Sequence, residues 1–142
     1  MQIRELDFKE LYTVYEVLSQ LHTELSYDAF EDLVYEMRHI QYKMFGIMDG
    51  EKLITFAGVA ILTNFYYKRH LCVFDLVTHK EFSSEKYAQI MLEYLYDYAK
   101  INMAQNMVLF SNVCEQTTGL AYEKSGFTKS NSLFVKPIIT LK

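Results

Sequence analysis

The side chains best suited to chemistry are two cysteines, four histidines and one aspartate inside an apolar run, and their spacing narrows what they can do. Cys72 and Cys114 form no C-x-x-C pair, and His22, His39, His70 and His79 stand at no metal-ligand spacing, so no metal site is expected. Cys72 reads as a small buried hydrophobe. Cys114 precedes a helix, where thiols are activated, and is the more reactive of the two. Asp75 interrupts a strand and by simple alternation shares a face with Leu71, Val73 and Val77, with Cys72 on the opposite face. A carboxylate desolvated among such neighbours has a raised pKa and can accept a proton, directly or through water. The competing reading is a buried carboxylate hydrogen-bonded to loop amides. His70 and His79, at the two ends of that strand, read as solvated residues.

Downstream, Ser83-Ser84-Glu85-Lys86-Tyr87-Ala88 opens a helix. The free backbone N–H groups of a helix start, aided by its dipole, suit an anionic ligand. An ordinary N-cap followed by an acidic first turn explains the same residues without any ligand. Glu24, Asp28, Glu31, Asp32 and Glu36 would favour a cationic partner at the mouth of a site, but first read as a solvated helix face. Twelve Tyr and 10 Phe with no Trp make 15% of the chain, and each buried phenol needs a hydrogen-bond partner.

These residues need a scaffold, and 142 residues at 51% hydrophobic and 23% charged, with 5 Gly and 1 Pro, fit a single domain over 1–142. With 14 Lys+Arg against 18 Asp+Glu the formal charge is -4, and no long block of like charge occurs, so a nucleic-acid partner is not expected. The longest apolar stretches, near 53–62 and 107–110, are too short to span a bilayer, and the N-terminus lacks the order of a secretion signal. The expectation is a cytoplasmic protein with no membrane partner.

Periodicity then places the elements. Residues 2–6 form a strand. Phe8, Leu11, Tyr12, Tyr15 and Leu18 mark an amphipathic helix, and Ser26 or Asp28 caps a second one with Phe30, Leu33, Val34, Met37 and Ile40 on its stripe. Residues 43–48 and 52–62 flank Asp49-Gly50 as a hairpin. Residues 71–78 are a strand buried on both faces, and from Ser83 a helix carries Tyr87, Ile90, Met91, Tyr94, Leu95 and Tyr98 on one stripe. Residues 107–111 form a short strand and 115–124 a short helix ending near Gly126. Residues 127–128 with 133–136 supply the last one or two strands. The order β-α-α-β-β-β-α-β-α-β is that of an α/β domain, a mixed β-sheet flanked by helices.

This order resembles the GNAT superfamily of N-acetyltransferases, and three segments carry the likeness across nearly the whole chain. The hairpin Phe45-Gly46-Ile47-Met48-Asp49-Gly50-Glu51-Lys52-Leu53-Ile54 resembles the family's second and third strands. The stretch from Asp75 to Ala88 stands in register with its fourth strand, loop and central helix. Leu120-Ala121-Tyr122-Glu123-Lys124-Ser125-Gly126-Phe127 is similar to the family's Y-E-K-x-G-F ending and is the most specific of the three.

The resemblance implies an acetyl-CoA-dependent transfer of an acetyl group to a primary amine of a small molecule or peptide. Acetyl-CoA would lie along Leu76, Val77 and Thr78, with its pyrophosphate at Ser83, Ser84, Glu85, Lys86, Tyr87 and Ala88, and Asn112 or Ser111 would bond its amides. Where the family reads R-G-x-G-x-G or A, only the small Ala88 is kept, and Glu85 adds a negative charge that Lys80 and Lys86 would offset. Tyr122 aligns with the tyrosine that in many members protonates the departing thiolate. Some members carry Glu where this chain has Phe74, which leaves Asp75 as the base. The alternative is a GNAT-fold binding or regulatory module that has lost the reaction, with a homodimer formed through the apolar residues 133–141.

Overall fold

The computed structural model describes residues 1–110, 119–128 and 134–138. Five strands, β1 (Gln2–Leu6), β2 (Lys43–Asp49), β3 (Lys52–Asn64), β4 (Lys68–Thr78) and β5 (Asn106–Leu109), form one sheet in the order β1-β2-β3-β4-β5. The first four run antiparallel, and β5 lies parallel to β4. Four helices accompany them: α1 (Leu11–Leu18), α2 (Tyr27–Met37), α3 (Ser84–Ile101) and α4 (Gly119–Lys124). The parallel pair requires a crossover, which α3 supplies. The result is the mixed, helix-flanked sheet that the sequence implies.

Local signals set the helix starts. Asp7 and Glu10 form a capping box ahead of α1, and Arg4 holds the Glu10 carboxylate with two bonds of 3.0 and 2.7 Å. Ser26 caps α2, its hydroxyl accepting from the Ala29 N–H. In the β2–β3 hairpin Asp49 pairs with Lys52, so the two-residue turn is Gly50-Glu51, one position later than Asp49-Gly50. Gly50 takes a φ of +61°, which glycine adopts without strain.

The sheet is covered on both faces. On one, α3 packs Ala88, Met91, Leu92, Leu95 and Ala99 against Phe45, Ile47, Val59, Leu71, Val73 and Leu76. The seam is therefore the small and aliphatic residues, and Tyr87, Tyr94 and Tyr98 flank it partly buried instead of forming it. On the other face α1 and α2 pack against Met44, Met48, Leu53, Phe56 and Val77. Here α1 buries Leu11, Val14, Val17 and Leu18, while Tyr12 is 70% exposed and stacks on Tyr27 with ring centroids 4.1 Å apart. On α2, Phe30 and Val34 are buried and Leu33 stays 46% exposed.

A bulge in β4 corrects the face assigned to Asp75. Gly58 pairs with Asp75 and Val59 with Val73, so Phe74 is an extra residue and alternation restarts after it. Val73 and Leu76 both point to the α3 side, and Val77 to the α1/α2 side. Asp75 thus shares the face of Val77, not that of Leu71 and Val73, and by the same alternation Cys72 lies on the Asp75 face. The β4–β5 ladder runs from His70–Asn106 to Val73–Leu109 and ends where the bulge begins.

Of the expected final strands, residues 127, 128 and 134–136 are not in a strand, and 133 lies outside the described residues. Ser111, Asn112 and Cys114 also lie outside them, as do 115–118 of the expected last helix. Among the described residues no helix is long and apolar enough to cross a membrane.

Candidate active site

Asp75 opens onto a cavity of about 600 Å³ between α1, α2 and the bulged part of β4. Its wall is mostly apolar, and its polar pole is Asp75 with His22 from the loop after α1. His22 Nε2 lies 2.6 Å from Asp75 Oδ1. Burial pushes the Asp75 carboxyl above its ordinary range, and the hydrogen bond and charge of His22 work against that rise. With Asp75 ionised, Nε2–H donates to it and the lone pair of Nδ1, which has no partner among the described residues, is left to accept a proton.

Tyr42, in the turn before β2, closes the side of this cavity. Its phenol lies over the backbone of Gly58, where a Cβ would overlap it, so glycine at 58 is a packing requirement of the site. Burial, reinforced by the charge of Asp75, raises the Tyr42 phenol far above its usual value.

Beyond Val73 no partner strand is paired to the outer edge of β4 among the described residues, and of the main-chain groups of 74–78 on that side the Thr78 carbonyl is taken by Gln20, which leaves the others to a ligand. Leu76 and Val77 bury their side chains in the cores on opposite faces, and Thr78 is bonded to Thr55 at 2.9 Å between hydroxyls. Their use to a ligand is therefore through the main chain.

The chain then turns into α3, whose first turn carries no side-chain cap from Ser83. Without that cap, N–H groups at the start of α3 are suited to phosphate oxygens. Glu85 stands in this turn, and Lys124 of α4 approaches its carboxylate to 3.7 Å. Lys124 thus adds a balancing charge to those expected of Lys80 and Lys86; the Lys86 ammonium lies over the Tyr87 ring at 5.6 Å from its centroid. Ala88 is buried against the sheet, where a larger residue would push α3 away.

Gln20 joins the two regions. Its amide N–H donates to the Thr78 carbonyl at 3.0 Å, and its Oε1 accepts from the Lys80 N–H at 3.1 Å. The loop that carries His22 is thereby tied to the loop that leads into α3.

Tyr122 is 5% exposed and sits in the core on the α3 side, its ring edge-on to Phe127 at 6.3 Å. Asp75 faces the other side of the sheet, so the two expected catalytic residues do not share a face. Among the described residues no group of three or more His, Cys, Asp or Glu could hold a metal ion.

The comparisons with known proteins bear on the fold. No protein-family model matches the chain. It is 26% identical over 141 residues to the uncharacterized N-acetyltransferase YhdJ of Bacillus subtilis (strain 168), covering 97% of this chain and 99% of the relative. It superimposes on the aminoglycoside N-acetyltransferase AAC(6')-Iy, solved in complex with CoA, with a TM-score of 0.82 at 14% identity, over 97% of this chain and 95% of that one. The fold is that of the GNAT superfamily. A GNAT family acetyltransferase of Staphylococcus aureus subsp. aureus also superimposes, with a TM-score of 0.73 at 15% identity, over 96% of this chain and 98% of that one.

Within this GNAT fold, His22, Tyr42 and Gln20 are the residues that sequence reasoning missed. His22 is 53 positions from Asp75, in a loop with no motif, and no spacing rule links the two.

Proposed function

We propose that the protein is an acetyl-CoA-dependent N-acetyltransferase that acts on a primary amine by direct attack. The observation that carries this reading is that Asp75 holds His22 at 2.6 Å from β4, the strand whose outer edge has no partner strand beyond Val73 among the described residues. One strand thereby positions the base for the amine, through Asp75, and offers main-chain groups to the thioester.

In the proposed reaction the amine nitrogen attacks the thioester carbonyl, the C–N bond forms, and the C–S bond breaks. The proton lost by nitrogen goes to His22 Nδ1, with Asp75 orienting the ring and stabilising its charged form. The thioester would lie across the open edge of β4, so that the thiolate leaves with its electron pair toward the α3 side, opposite the attacking amine, and takes a proton from Tyr122 there. A β4 main-chain N–H near the bulge polarises the carbonyl, and the uncapped start of α3 holds the pyrophosphate. Much of the acceleration comes from holding amine and thioester together. The pairing of Lys124 with Glu85 supports cofactor binding despite the altered turn, because it offsets the acidic charge beside the polyanion.

The test is a calorimetric and thermal-shift titration with acetyl-CoA, followed by thiol release with a panel of primary amines. Saturable one-site binding is expected, with stabilisation of about 2.7 kcal/mol at 100 times Kd. A folded protein with no response to millimolar acetyl-CoA would overturn the proposal in favour of a binding or regulatory module.

A further inference from the structure

The cavity that holds the His22–Asp75 pair has a lining that selects among amines, and this deepens the proposed function and rests on it. Leu25, Phe30, Val34 and Met37 are among the apolar residues that line it, and its polar lining is the His22–Asp75 pair with Thr23, Glu24 and Tyr42. Among the described residues lining it there is no lysine or arginine. A phosphate or carboxylate on the acceptor would be desolvated there without a counter-charge, beside the carboxylates of Asp75 and Glu24. A polyhydroxylated skeleton fares little better, because an aliphatic and aromatic wall leaves its hydroxyls unpaired. An alkyl or aralkyl chain gains from the same wall, and its ammonium is drawn to the acidic pole before it gives up its proton.

We infer that the acceptor is an amphipathic monoamine, a primary amine on a compact apolar skeleton with no anionic group, seated with its nitrogen at His22–Asp75 and its chain against Leu25, Phe30, Val34 and Met37. A cavity of this volume falls within the range of small-ligand sites.

The experiment measures binding of linear primary amines from ethylamine to hexylamine to the full chain by calorimetry, apart from turnover, with glucosamine-6-phosphate and kanamycin as the anionic and polyhydroxylated comparators. Affinity should tighten about three- to fourfold per methylene until the cavity is filled, and neither comparator should approach hexylamine. Leu33 lines the cavity yet is 46% exposed, so Leu33→Arg should fold normally. It should weaken hexylamine at least about fivefold by placing a cation beside the ammonium, with acetyl-CoA binding unchanged. A flat chain-length series, a comparator that binds better than hexylamine, or an unchanged Leu33→Arg affinity would each overturn the inference. The chain-length trend without thiol release from acetyl-CoA would sink the transferase reading and leave the cavity's selectivity standing. Thiol release with an amino-sugar phosphate and a flat alkyl series would do the reverse.

Discussion

His22 and Asp75 meet at 2.6 Å across 53 residues of sequence, joining the loop after α1 to the bulge of β4. Burial raises the carboxyl, so folding favours its neutral form. The stability this group contributes is therefore present below its ordinary value of 3.8 and is lost as pH rises through the raised native value. Asp75→Asn has no such titration. Calorimetric melting temperatures of wild type should fall relative to Asp75→Asn across that window and run parallel above it. Thiol release should drop about 100-fold or more in both variants, because His22→Gln loses the proton acceptor and Asp75→Asn loses the carboxylate that orients the ring and stabilises its charged form.

Gln20 predicts a different defect. Its two bonds to Thr78 and Lys80 fix the loop entering α3, and Gln20→Ala removes both. At about 1 kcal/mol for each bond, acetyl-CoA Kd should rise about 5- to 30-fold. Alkylamine binding measured without cofactor should change far less. Equal acetyl-CoA affinity in variant and wild type would show that the tie has no bearing on the cofactor turn.

Tyr122→Phe separates proton donation from packing. The ring and its edge contact with Phe127 remain, so acetyl-CoA affinity should be kept while kcat falls about 100-fold. Equal kcat would remove Tyr122 from the mechanism and leave it a core residue.

Much of this architecture is written in local pattern, and the parts that are not have physical reasons. Ser26, the hairpin at Gly50 and the apolar runs of β3 and β4 are short-range signals, and they place their elements to within about three residues. The face of Asp75 is not legible, because alternation assumes an unbroken ladder and Phe74 is an inserted residue. The stripes of α1 and α3 drift for a similar reason. Tyrosines satisfy an apolar pattern as well as leucine does, yet their hydroxyls keep Tyr12 at the surface and Tyr87, Tyr94 and Tyr98 at the margins of the core. The His22–Asp75 pair depends on tertiary approach, which no window of sequence contains.

Glu85 and Lys124 give the cofactor turn an electrostatic signature. Their ion pair is solvent-exposed and contributes at most about 1 kcal/mol to stability, so removing either charge should leave the melting temperature nearly unchanged. Acetyl-CoA affinity should move in opposite directions: Glu85→Gln tightens binding several-fold and Lys124→Ala weakens it several-fold, with both effects shrinking as salt is raised. Titrations at two ionic strengths decide this, and identical affinities in all three proteins would place the pyrophosphate away from the first turn of α3.

The cavity wall offers the last prediction, through Gly58 and Tyr42. A methyl group at 58 would overlap the Tyr42 phenol and ring, and backbone pairing on both sides of β3 holds Gly58 in place, so Tyr42 must give way. Gly58→Ala should destabilise the fold by about 1–3 kcal/mol. It should also loosen amine binding, because Tyr42 is part of the cavity lining. Tyr42→Ala alone leaves a void with its own cost. In the double variant the overlap is gone, so the two losses should fall short of their sum by about 1 kcal/mol or more. Additive losses in urea unfolding would mean that Gly58 is needed for the backbone of the bulge and not for the room it leaves Tyr42.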